Sequence, residues 1–320
     1  MTKLKPPITI PAKYIKKVRY SKLEGRILTI PSNRSKSKEK FVLISGLHTS
    51  HERMMSFAYF LADYGEVIAI DLPGFGGMAS FTKIGKSISY ESYAEYIYTV
   101  LKTQKLTNNV TIFAVSIGGQ FVTRMFQMYP ESQTWVKKCI GFVTFGAGKD
   151  FNLSPVFRAS ATTLAFLASS KLGSRVIKLI AFNPVSLHAM LLLFSKIKRK
   201  MHADDQAHRK LIHKTEYYHW RINDRQTHAK TSMMMFSDDL RNRSQDLINV
   251  PMHNVITKED QYFDDKEVNK TMRDLYSNYT PHYLASNVHM PSMVADKSEV
   301  VTMFDQSMID EIMGETGRNK

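Results

Sequence analysis

The chain has 320 residues, 43% hydrophobic and 23% charged, an ordinary globular composition with enough apolar side chains for a sizeable core. Its net charge of +15 suits an anionic partner, yet neither zinc-ligand spacing nor an aromatic ribonucleoprotein box is present, so no nucleic-acid module is expected. The single cysteine, Cys139, cannot form an intrachain disulfide and lies in an apolar stretch, as a buried thiol would.

The first residues, Met1–Lys17, are basic, carry Pro6 and Pro7, and lack an uninterrupted apolar stretch and a small-residue cleavage site. No secretory signal is therefore expected, and cytoplasmic residence is the default. Short β-rich runs follow at Arg26–Ile30, Phe41–Ser45, Val67–Ile70, Val110–Val115 and Ile140–Phe145. Several are continuously apolar, which suits a sheet buried on both faces. Met54–Tyr64, Tyr90–Thr103 and Gln120–Tyr129 carry apolar residues at three- and four-residue spacing. The resulting β-α-β-α-β-α-β order predicts the α/β class, with a mostly parallel central sheet flanked by helices.

From about Asn152 to Asn223 the chain reads as helices and loops, which predicts a helical cap insertion. The expected division is residues 1–151 and 224–320 for the two parts of the core and 152–223 for the cap. Within the cap, Leu164–Leu167 and Leu187–Phe194 are apolar, and the basic run Lys196–Lys200 follows. Lys171, Arg175 and Lys178 interrupt the apolar stretch before about 20 residues accumulate, so no transmembrane helix is expected. Strand signals return at Met252–Thr257 and His282–Ser286, a last amphipathic helix spans Ser298–Met313, and the residues after Gly314 read as a frayed tail.

The strongest chemical signal is Ala114-Val115-Ser116-Ile117-Gly118-Gly119, directly after one strand and before a helix. A sharp strand-to-helix turn there would lift Ser116 clear of the sheet, and small residues two positions to either side leave room for the strained backbone. Ala114 stands where glycine is usual. The same turn would aim the Ile117 backbone N–H at a developing oxyanion.

In these residues, and in several further segments, the chain resembles the α/β-hydrolase superfamily. Ser45-Gly46-Leu47-His48 resembles its oxyanion loop, which implies Leu47 as the second backbone donor, with His48 a pocket candidate. Asp71-Leu72-Pro73-Gly74-Phe75-Gly76 is similar to a structural turn of that superfamily. Val255–Asp260 resembles the strand and loop that deliver the acid, implying Asp260, although Thr257 replaces a common glycine; Asp150, Asp264 and Asp265 are alternative acids. Asn287–Pro291 resembles the histidine loop, implying His289 as the base, with Val288 in place of a glycine. His48 and His51 are the competing histidines.

The resemblance implies a serine hydrolase that cleaves a carboxylic ester or thioester of an apolar acyl group through Ser116, His289 and Asp260. An acyltransferase on the same triad and a non-catalytic binding protein of the same fold are the alternatives. The expected partner is a small-molecule ester, with peripheral contact to an anionic membrane through the basic run; no oligomeric state is legible. No His-Glu-x-x-His, paired-cysteine, Walker or dinucleotide pattern occurs, so neither metal nor cofactor is expected.

Overall fold

The computed structural model describes residues 6, 8–35, 37–170, 172–173, 206–258, 262–284 and 297–314. Its strands are β1 (Ile15–Tyr20), β2 (Leu23–Ile30), β3 (Lys40–Ile44), β4 (Glu66–Ile70), β5 (Val110–Val115), β6 (Val136–Phe142), β7 (Met252–Thr257) and β8 (Tyr279–Leu284). They form one eight-stranded sheet in the order β1-β2-β4-β3-β5-β6-β7-β8. Pairings β1/β2 and β2/β4 are antiparallel and all the others parallel, so β3 to β8 send their carboxyl ends to one edge.

Alternate residues of the same strands feed two cores, which is why the strands read as continuous apolar runs. On one face, Val42, Ile44, Ile112 and Ala114 pack with α2 (Tyr90–Thr103), α3 (Ile117–Met128) and α7 (Asp265–Leu275). On the other, Phe41, Leu43, Phe113 and Val115 pack with α1 (His51–Leu61), α8 (Lys297–Val301) and α9 (Gln306–Met313). Cys139, on β6, is buried as expected.

Several elements depart from the expected ones. β1 is not among the predicted strands; Val18 and Tyr20 point into the core while Lys17 and Arg19 stay exposed, and Ser21 makes the turn at a φ of 53°. Helix α7 is not predicted either; Asp264 caps it by accepting from the Lys266 and Glu267 amides. The expected last helix is broken in two, and the break turns the adjacent side chains of Met303 and Phe304 both into the core.

Between β6 and β7 the described elements are α4 (Pro155–Ser169), α5 (Gln206–Ile222), α6 (Arg225–Ser237) and short 3₁₀ turns. This segment is tied to the rest of the protein at the Asp71–Gly76 turn. Asn223 Oδ1 accepts from the Gly76 amide at 2.9 Å, and the Asp224 amide donates to the Gly74 carbonyl at 2.8 Å. Gly74 sits at a φ of 88°, and a Cβ there would lie 2.4 Å from Thr227 Cγ2. Buried tyrosines support the turn from α2, where Tyr93 and Tyr96 donate to the Pro73 and Asp71 carbonyls. Among the described residues no helix is long and apolar enough to cross a membrane. Leu187–Phe194 and Lys196–Lys200 lie outside the described residues.

Candidate active site

The apolar strand β5 runs directly into α3 with only Ser116 between them. Ser116 has φ 52° and ψ −128°, a conformation costly for any residue with a Cβ. Two glycines make room for it. A Cβ on Gly118 would stand 2.6 Å from the Ser45 carbonyl oxygen, and one on Gly46 would stand 2.9 Å from the Val115 oxygen and 3.1 Å from Ser116 Cβ. The loop after β3 therefore lies against the serine itself. Ala114, 2% exposed, fits the position before the turn, so the sharp junction forms without a glycine there.

Positive φ at a non-glycine residue recurs around this junction: Ser116 after β5, His48 at 57° after β3, and Val143 at 49° after β6. These three strands are neighbours in the sheet. A β-branched valine in that region is a backbone outlier, and such strain persists only where surrounding contacts hold it. Here the Ser116 amide donates to the Phe142 carbonyl, and the Val143 amide to the Val255 carbonyl. Ile117, the first residue of α3, has an N–H with no acceptor inside the helix, at the positive end of the helix dipole.

Of the residues singled out in the sequence, Ser116, Ile117, Leu47 and His48 thus fall at one edge of the sheet. Asp260 and His289 lie outside the described residues. The strands that precede them, β7 and β8, end at Thr257 and Leu284 on the same edge as β5. Asp150 is wholly buried and already engaged: Oδ2 accepts from the Gly146 and Ala147 amides at 2.9 Å each, and Oδ1 accepts from Thr271 Oγ1 at 2.7 Å. Asp264 is the cap of α7, and His51 Nε2 lies 3.1 Å from the Arg26 carbonyl and 3.2 Å from Asp71, whose carboxylate pairs with Arg26.

The groups that surround His48 are not foreshadowed by any motif. On α5 and just beyond it, Glu216, His219, Trp220 and Asn223 share one face by their spacing, and the His48 ring packs 4.2 Å from Trp220 and 5.2 Å from His228 between ring centres. Burial, helped by repulsion from His48, pushes both His219 and His228 down to about 3. Burial also lowers His253, on β7, to about 4. These side chains stay neutral in the folded protein at a pH where the unfolded chain, with histidines near 6.5, binds protons. Their contribution to stability is complete above pH 6.5 and declines as pH falls toward 3. For the fully buried His219 the limiting slope is about 1.4 kcal/mol per pH unit. Urea denaturation at pH 7.5 and pH 5.0 checks this: the midpoint is expected to be lower at pH 5.0, and an unchanged or higher midpoint contradicts it.

Among the described residues, no group of three or more His, Cys, Asp and Glu side chains is placed to hold a metal ion.

Residues 35–293 match the model of a family described as serine aminopeptidase, S33. No curated protein matches the chain. Solved structures do. MenH from S. aureus aligns with a TM-score of 0.64 at 14% identity, over 90% of this chain and 98% of that one. A thermophilic esterase from Thermogutta terrifontis gives 0.63 at 15% identity, over 94% and 98%. The esterase EaEST from Exiguobacterium antarcticum gives 0.63 at 16% identity, over 91% and 96%.

Proposed function

Since this chain belongs to the serine aminopeptidase S33 family of α/β-hydrolases, we propose that it is a serine hydrolase acting on a carboxylic ester or thioester with an apolar acyl group. The observation that carries the reading is the strained Ser116 junction with the Gly46 loop pressed against it. In the proposed cycle His289 takes the Ser116 proton as the oxygen attacks the acyl carbonyl, and Asp260 orients the imidazole. The Leu47 and Ile117 amides stabilise the oxyanion. The leaving alcohol or thiol departs with the proton from His289, and water releases the acyl group by the same route.

An apolar acyl group is favoured by α4, which presents Val156, Phe157, Leu164, Phe166 and Leu167 at 56–77% exposure. Each methylene buried against apolar side chains of this kind would contribute about 0.8 kcal/mol. Contact of Lys196–Lys200 with an anionic surface is part of the same proposal, worth about 1 kcal/mol per charge near the surface.

A series of p-nitrophenyl esters from acetyl to dodecanoyl tests this, run with an aminoacyl p-nitroanilide and with and without anionic vesicles. The expected result is ester hydrolysis with kcat/KM rising along the series, and faster turnover on vesicles at low salt. A steep preference for acetyl refutes the apolar pocket. Cleavage of the anilide alone points to a peptidase, and transfer to an added alcohol in preference to water points to an acyltransferase.

A further inference from the structure

The loop proposed to supply the Leu47 donor is held from outside the sheet, by α5, through groups that the hydrolytic cycle leaves unused. His48, the next residue, adopts a left-handed backbone at φ 57°, which most side chains avoid. Several contacts hold it, three of them on α1 and α5. Its Nε2–H donates to Glu216 Oε2 at 3.0 Å, its carbonyl accepts from Arg53 Nη1 at 3.0 Å, and its ring lies on Trp220.

A second link runs in parallel. His219 Nδ1 lies 2.8 Å from the Thr215 carbonyl, which can only accept, so that nitrogen carries the proton and Nε2 is an acceptor. Ser50 Oγ, 2.8 Å from Nε2, therefore donates to it. Between the two links, Thr49 Oγ1 donates to the Gly46 carbonyl at 2.8 Å and closes the loop on itself. Gly46 is the residue pressed against Ser116 Cβ. Burial alone would raise the Glu216 carboxyl, but the His48 hydrogen bond and attraction to His48 and Arg53 hold it down at about 2, so it stays an anionic acceptor at neutral pH.

We propose that Glu216 is a positioning residue which, through His48, sets the Gly46–His48 backbone so that the Leu47 amide is aimed at the oxyanion. The inference rests on the hydrolase reading above and adds that the helical insertion is part of the oxyanion apparatus. A donor displaced by a fraction of an ångström still admits substrate but stabilises the transition state less, so the loss belongs in kcat.

The test uses the full-length chain with Glu216→Ala, Glu216→Gln, His48→Asn and the Glu216→Ala/His48→Asn double variant. Asparagine tolerates the left-handed backbone but is too short to replace the histidine bond. Glu216→Ala is expected to lower kcat for the best ester about 10- to 100-fold, less than outright loss of a donor. KM is expected to stay within about threefold. Glu216→Gln, which keeps an acceptor oxygen, should recover most of the loss. The double variant should be no slower than His48→Asn, because that change already removes the bond that Glu216→Ala removes.

A kcat within about twofold of wild type in folded Glu216→Ala overturns the proposal, as does a loss confined to KM or effects that multiply in the double variant. If Glu216→Ala does not fold, His48→Asn decides the matter through its own split between kcat and KM. A wild-type protein that hydrolyses no ester fails the hydrolase reading and this inference together, whereas an active wild type with unaffected variants fails this inference alone.

Discussion

Ser116→Ala is expected to lower kcat on the best ester by about 10⁴-fold or more while the protein stays folded. Alanine keeps the Cβ, so the strain at φ 52° is unchanged and a loss of rate reports on chemistry instead of backbone relaxation. The oxyanion donors and the substrate contacts survive the change, so a small residual rate above water is expected. Purified Ser116→Ala assayed beside wild type, with circular dichroism on both, checks this. Wild-type turnover in the variant removes Ser116 from the mechanism.

The second large effect concerns the acid. Asp260→Asn should reduce kcat by about 10⁴-fold, because an amide favours the wrong histidine tautomer. Asp150→Asn should stay within a few-fold, as an order-of-magnitude expectation for a group that does not act on the histidine. Both Asp150 oxygens are occupied, by two backbone amides and by Thr271. An asparagine could meet the same partners, its oxygen accepting from Gly146 and Ala147 and its amide donating to Thr271 Oγ1. Burial also raises the Asp150 carboxyl, so loss of its charge is not a penalty. Steady-state kinetics on the two variants decide between the positions, and a crippled Asp150→Asn beside a healthy Asp260→Asn would put the acid after β6.

The sheet and the sharp strand-to-helix junction at Ser116 are legible in the sequence for one reason: they depend on local patterns. Apolar runs such as Phe41–Ile44 and Val110–Val115 face both sides because helices cover both faces, and Gly118 announces the close approach of Ser45. β1 is obscured because Lys16, Lys17 and Arg19 make it look like part of a basic tail, although Val18 and Tyr20 already alternate. Helix α7 is hidden by its acids: Asp264 and Asp265 read as chemistry, whereas Asp264 caps a helix whose Val268, Met272 and Leu275 pack inward.

The clamp on His48 is not legible at all. Helical spacing puts Glu216, His219, Trp220 and Asn223 on one face, but what that face meets is a loop 168 residues earlier in the chain. Only the packing of α5 against the loop after β3 brings the two together. His48, a pocket candidate by its place in the motif, is 8% exposed, and its ring is taken up by Glu216 and Trp220.

The most direct measurement of the central claim is reaction of the wild-type protein with a fluorophosphonate, read by intact mass and then by peptide mapping. One phosphonyl group per chain, located on Ser116 and absent from Ser116→Ala, is the expected result. A folded protein that takes up no label, or takes it up equally in Ser116→Ala, would contradict the assignment of Ser116 as an activated nucleophile.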